Sequence, residues 1–298
     1  IPLERNMLDV DPPDHTRLRA LVHKPFTPRL IEQMRTRVQT LADELLDAVA
    51  GNGQMDLIRD FALPLPMTLI TEILGVPARD RGRFHKWSKA IVSVNQFNNN
   101  WRVITAIWSF NRYLRRFFKE RRAHPQDDLV SGLIQAEEAG DTLSEDELFA
   151  MVFLLLVAGH ETTVNLIGSG TLELLKHPDE MVKLRRDESL IKLGVEELLR
   201  YTAPVFMSTE RYAREDVRIQ DVKISRGEMA FGVIGSANRD GTVFENADSL
   251  NIERENNKHL SFGFGIHFCL GAPLARLEAE IAINTLLNRM PELRLKGS

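Results

Sequence analysis

The chain has 298 residues, 43% of them hydrophobic and 27% charged, an ordinary balance for a soluble globular protein with a sizeable core. A formal charge of −4 argues against a general grip on nucleic acid, and one cysteine in the whole sequence excludes an internal disulfide or a four-sulfur metal centre and suits a reducing cytoplasm. The opening Ile1-Pro2-Leu3-Glu4-Arg5 carries no visible secretory signal.

Most of the sequence is predicted helical. Near the start stands Asp11-Pro12-Pro13-Asp14-His15-Thr16-Arg17-Leu18-Arg19, in which His15 and Arg19 are four apart and share a helix face. Apolar residues recur at three and four spacing from Arg29 to Val49 and from Trp101 to Arg122. Gly51-Asn52-Gly53, Pro64-Leu65-Pro66, Gly75-Val76-Pro77 and His124-Pro125 punctuate the helices, and Asn98-Asn99-Asn100 reads as a loop. Ser144-Glu145-Asp146-Glu147 fits a capping box, opening a helix that can run to about His177, where Pro178 ends it. Its most apolar run, Met151 to Gly159, is far shorter than the about 20 residues that span a bilayer. That predicts a buried helix through the protein's centre and no membrane span. Val217-Arg218-Ile219, Val222-Lys223-Ile224 and Met229-Ala230-Phe231 read as short strands joined by turns. Glu278 to Leu287 returns to helix. No repeat or low-complexity linker divides the chain, so residues 1–298 are read as one domain, mainly α with a small β portion.

The single cysteine lies in Phe262-Gly263-Phe264-Gly265-Ile266-His267-Phe268-Cys269-Leu270-Gly271. A lone cysteine is most often a small buried hydrophobe. A nucleophile paired with His267 lacks a nearby orienting acid or amide. A phosphate loop of the G-x-G-x-x-G kind fails, because Phe268 stands where the third glycine belongs. One soft axial bond to a metal, with haem iron a leading candidate, is a further reading that stands beside the buried hydrophobe.

Two other segments could carry chemistry. Ala158-Gly159-His160-Glu161-Thr162-Thr163 interrupts the apolar helix with groups that are costly in a helix interior. Threonines bonding back to earlier carbonyls are the plain structural explanation. Val164 replaces the second histidine of H-E-x-x-H, so the zinc-protease motif is absent. Glu197-Leu198-Leu199-Arg200 places both charges on one helix face, close enough to pair.

Taken together these segments resemble the cytochrome P-450 family in its soluble bacterial form. Phe262, Gly265, Cys269 and Gly271 fill F-x-x-G-x-x-x-C-x-G, its haem-binding signature. Ala158, Gly159, Glu161 and Thr162 fill its oxygen-activation motif, and Glu197-x-x-Arg200 followed by Pro204 matches its E-x-x-R and proline turn. Asp11-Pro12-Pro13, Arg211-Tyr212-Ala213-Arg214-Glu215-Asp216 and Ala237-Asn238-Arg239-Asp240 with Phe244 extend the match from about Met7 to Leu287.

The resemblance implies a fold with haem b between a long central helix and the cysteine loop. It implies Cys269 as the iron ligand, Thr162 as the hydroxyl that stabilises iron-bound oxygen, and Glu161 as a proton relay. His15, Arg19, Arg211 and His267 are the implied propionate partners, with Ala158, Phe262 and Gly271 also against the cofactor. Leu155, Gly159, Val205, Phe206 and Met207 are the implied lining of a pocket for a mostly apolar substrate such as a terpenoid, fatty acyl group or polyketide. Glu197 and Arg200 are implied to be structural.

No flavin or iron–sulfur motif occurs, so the electrons are expected from a ferredoxin or flavodoxin-type donor with its reductase. Arg17, Lys24, Arg121, Arg122 and Arg276 are candidate contacts for that donor. Bacterial members begin well before the Asp11 segment and continue beyond the helix after the cysteine, so the resemblance also implies a chain incomplete at both ends. The rival readings are a haem-binding relative without monooxygenase activity and a peroxide-driven variant. Members of the latter kind usually lose the acid–alcohol pair that this chain keeps.

Overall fold

The computed structural model describes residues 5–23, 26–92, 100–138 and 143–297. Lys24 and the Asn98-Asn99 part of the predicted loop lie outside them. The chain forms two compact units, Ile1–Val164 with Pro273–Ala282, and Asn165–Ala272 with Ile283–Ser298.

The first unit is helical. It holds α1 (Asp14–Val22), α2 (Pro28–Gln33), α3 (Arg35–Ala50), α4 (Pro64–Ile73), α5 (Ala78–Val92), α6 (Asn100–Ala123), α7 (Leu129–Glu138), α8 (Glu145–Ala158) and the first turn of α9 (Glu161–Lys176). The stretch expected as one helix from Arg29 is two. Met34 donates its N–H to Ile31 O at 2.9 Å, a three-residue closure that tightens the turn and ends α2. The capping box forms as predicted: Glu147 N–H donates to Ser144 Oγ at 3.2 Å and Ser144 N–H to Glu147 Oε2 at 2.8 Å.

An aromatic cluster anchors this core. Phe84 on α5 sits 5.4 Å from Phe110 and 4.9 Å from Tyr113 on α6, both edge-to-face. Phe110 continues to Phe149 and Phe153 on α8, at 5.8 and 5.6 Å. Arg121, read from sequence as a candidate partner contact, is instead buried. Its guanidinium donates to Asp128 Oδ2 at 2.7 Å and to Gly75 O at 2.6 Å, so it fastens the end of α6 to the turn after α4. Arg17 is also engaged, donating to Glu147 at 2.6 Å and Asp14 at 3.0 Å.

The second unit carries the rest of α9, α10 (Pro178–Arg186), α11 (Ile191–Thr202), the short α12 (Ile234–Ala237) and four short strands. Strand β1 (Arg211–Tyr212) pairs antiparallel with β4 (Met229–Ala230), and β2 (Val217–Ile219) with β3 (Val222–Ile224). The last helix, α13 (Ala272–Arg289), begins six residues before the predicted Glu278, and its residues divide between the two units. Leu166, Ile167, Leu174, Val195, Leu198, Ile252, Ile283 and Leu286 are buried in the second unit. By length and composition alone Glu145–Lys176 is apolar enough to cross a membrane, a test that a buried core helix passes equally.

Candidate haem-thiolate site

In the second unit the backbone folds back on itself at Cys269. Cys269 N–H donates to Phe262 O at 2.8 Å, Phe268 N–H to Gly265 O at 3.1 Å and Gly263 N–H to Leu260 O at 2.8 Å. Gly263 and Gly265 have φ of 72° and 71°, a region that side chains strongly disfavour, which is why glycine is needed at both. A Cβ added at Gly265 or Gly271 would meet nothing within 4 Å. Cys269 is half-buried, while Phe264 is 87% exposed and Ile266 and Phe268 are exposed beside it. His267 and Phe262 are half-buried.

This loop hangs from a buried charge pair on α11. Glu197 and Arg200 both have 0% exposed side chains. Arg200 donates Nε and Nη2 to the two carboxylate oxygens of Glu197, each at 2.8 Å, a bidentate fork. The rest of the guanidinium donates to the carbonyls of Asn238, Ala247 and Ser249. Glu197 also accepts from Asn251 N–H, Arg254 Nε and Asn257 Nδ2. A buried pair is costly unless its remaining bonding capacity is met, and here it is met by the segment leading to the cysteine. Asn238, fully buried, carries the tie onward: its Oδ1 accepts Leu260 N–H at 2.8 Å and its Nδ2 donates to Ser261 Oγ at 2.9 Å. Ser261 Oγ in turn donates to Leu199 O at 2.6 Å. Sequence reasoning found the pair but missed Ser261 and the specific work of Asn238.

After α11, Ala203 takes φ of 42° and the chain turns at Pro204. Val205 is half-buried, and Phe206 and Met207 are exposed. Phe206 lies against Gly235, where an added Cβ would come within 2.2 Å of its ring. Arg211 is exposed on β1 and its guanidinium donates to Thr209 Oγ1 at 2.7 Å and Glu210 O at 3.0 Å.

In the first unit the predicted long helix is broken at Gly159-His160, between α8 and α9. A helix end leaves carbonyls without partners, and side chains take their place here. His160 Nδ1 donates to Leu156 O at 2.7 Å, which fixes its tautomer, and Thr162 Oγ1 donates to Ala158 O at 3.2 Å. A Cβ at Gly159 would stand 2.5 Å from Leu155 O and 2.7 Å from Ile70 Cγ1, so α4 packs closely here only against glycine. Leu155 is buried, Ala158 exposed, and Gly159, Glu161 and Thr162 half-buried. Burial raises the Glu161 carboxyl above its ordinary range.

Sequence reasoning missed Glu278 on α13. It is fully buried, and burial pushes its carboxyl well above the usual range. Thr163 is the polar side chain beside it, and neither carboxyl oxygen completes a well-formed hydrogen bond. His15 is buried on α1 and Arg19 half-buried one turn on.

Among the described residues no cluster of three or more His, Cys, Asp or Glu could hold a metal ion by itself. A half-buried thiol on an open glycine turn, in a loop that exposes Phe264, Ile266 and Phe268, fits instead a flat apolar macrocycle bound through one soft ligand.

The comparisons agree. The family model described as "Cytochrome P450" matches residues 1–290. The polyketide biosynthesis cytochrome P450 PksS of Bacillus subtilis is 51% identical over 292 residues, which cover 97% of this chain and 71% of that one. Its solved structure superposes with a TM-score of 0.94, covering 99% of this chain and 76% of that one. A myxobacterial cytochrome P450, CYP267B1, solved with myristic acid, gives a TM-score of 0.95 at 48% identity over 99% of this chain and 73% of that one. P450BioI, solved with a hexadec-9Z-enoic acid-ligated acyl carrier protein, gives 0.91 at 43% identity over 98% and 76%. The chain belongs to the cytochrome P450 family, and it is a haem-dependent monooxygenase with that family's mainly α fold.

Proposed function

We propose that residues 1–298 form one haem-thiolate domain that inserts one oxygen atom from dioxygen into a mostly apolar substrate of fatty acyl or polyketide type. The observation that carries this reading is Cys269, the sequence's single cysteine, presented half-buried on a hydrogen-bonded glycine turn. The substrate class is supported by the relatives: PksS is named for polyketide biosynthesis, and CYP267B1 and P450BioI were solved with a fatty acid and a fatty acyl carrier protein. Exposed Phe206 and Met207 with half-buried Val205, and separately buried Leu155 with half-buried Gly159, are the residues we assign to substrate contact.

Haem, when bound, supplies the iron that activates dioxygen. Cys269 would hold it through its thiolate Sγ, a soft and electron-rich ligand. His15, Arg19, Arg211 and His267 would hold the carboxylates of the macrocycle, for which guanidinium forks are suited. Ala158, Phe262 and Gly271 would be further contacts of the cofactor. Thr162, whose hydroxyl here donates to Ala158 O, would supply a hydrogen-bond donor, and Glu161, with its raised carboxyl, would hold and pass on a proton. Two electrons come from a ferredoxin or flavodoxin-type donor with its reductase, in the cytoplasm and away from any membrane or nucleic acid. Arg122, exposed, and Arg276, half-buried, are the donor contacts that fit best.

The test is turnover of the haem-loaded protein with a ferredoxin, its reductase, NADPH and a panel of fatty acids and macrolide-type polyketides under labelled dioxygen. One labelled oxygen atom in the product supports the reading. Product formed from hydrogen peroxide but not from dioxygen and reductant would identify a peroxide-driven enzyme. No product from any panel member under either condition would overturn the substrate class.

A further inference from the structure

A cleft of about 250 Å³ opens between α5 and α6, among residues the monooxygenase reading does not use. Arg79 and Arg83 reach it from α5, and Arg112 and Arg116 from α6. Each pair is spaced four apart, so each stands on one face of its helix. Like charges so placed repel unless something answers them.

The protein answers only part. Asp80 lies 3.6 Å from Arg83 and 3.9 Å from Arg79, and it accepts the Tyr113 phenol at 3.0 Å. Glu120 also lines the cleft, and its ion pair is with Arg121 at 3.8 Å. Arg112 and Arg116 make no ion pair or hydrogen bond among the described residues. Four guanidinium groups therefore meet two carboxylates, in a chain whose formal charge is −4. Two of the guanidiniums sit over indole rings, Arg83 above Trp87 at 5.4 Å and Arg112 above Trp108 at 5.3 Å. A guanidinium held over a ring still has N–H edges with which to bind. Such edges match the paired oxygens of a phosphoryl group, and two or more negative charges balance the excess.

We propose that this cleft is an anion site for a small phosphoryl-bearing molecule, gripped by the N–H forks of Arg112 and Arg116 and closed from the opposite helix by Arg79 and Arg83. The site is independent of the haem chemistry, so its failure leaves that reading untouched.

The test is calorimetric titration of the haem-loaded protein with sodium pyrophosphate, at ionic strength held constant with sodium chloride. Saturable one-site binding at about 1 mM or tighter is expected. The double variant Arg112→Ala, Arg116→Ala should weaken it about tenfold or more with the haem absorption spectrum unchanged. Should that variant fail to load haem, Arg112→Lys with Arg116→Lys, which keeps the charge and loses the forks, carries the test and should also bind more weakly. No saturable binding by the parent protein, or the same affinity in a haem-loaded variant, overturns the proposal.

Discussion

Around Cys269 the chain is closed by its own backbone and tied down by a buried ion pair, whereas between Ala158 and Glu161 a helix is deliberately left open. At the loop, Cys269 N–H meets Phe262 O, and Arg200, Glu197, Asn238 and Ser261 hold the approach through bonds that leave the pair saturated. At the break, backbone partners are replaced by the side chains of His160 and Thr162. A saturated buried network resists displacement, because removing one member strands the others away from water. A side-chain bond of 3.2 Å on a half-buried threonine can be exchanged at little net cost. A metal ligand needs the first kind of support, and a group that must present and move protons needs the second.

The strongest way to break the contrast is Arg200→Ala. It leaves the buried Glu197 carboxylate with Arg254 as its remaining charge partner and frees three carbonyls. A loss of about 3–5 kcal/mol is expected, together with failure to retain haem, read by chemical denaturation and by haem content. Wild-type haem content would mean that the loop stands without the pair. At the break, Thr162→Ala should leave folding and haem content near normal while product falls and peroxide rises per electron consumed. Unchanged coupling of NADPH to product would remove Thr162 from its role.

The smallest expected effect belongs to Glu278. Its carboxyl is raised in the folded state, so the fold holds a proton that the unfolded chain releases near pH 4.3. Stability contributed by this group is thus intact below that pH and is lost as pH rises toward the folded value. Glu278→Gln removes the titration. The variant should gain on the parent protein as pH rises from about 4.3 toward neutrality, in melting temperatures measured across that range. Parallel curves would show that the buried carboxyl does not titrate with folding.

Much of this was legible in the sequence because the physics is local. The capping box needs only Ser144 and Glu147, and β2 and β3 need only two β-branched pairs around a turn. The glycines of the cysteine loop announce a backbone that other residues disfavour. What stayed hidden depends on distant neighbours. Glu278 looks like any helical charge, and nothing nearby in sequence says that Thr163 will face it. Arg121 was read as a surface cation because Gly75, whose carbonyl it binds, is 46 positions away. The break between α8 and α9 was recognised as a disruption, but its repair by His160 was not, since that bond exists only once the helix has opened.

The central claim is that Cys269 Sγ binds the haem iron, and it is tested most directly by the absorption spectrum of the reduced, carbon monoxide-bound protein. The account predicts a strongly red-shifted Soret band in well-folded, haem-loaded protein, and its loss in Cys269→His. An unshifted band in the parent protein, or the same shifted band in the variant, would contradict it.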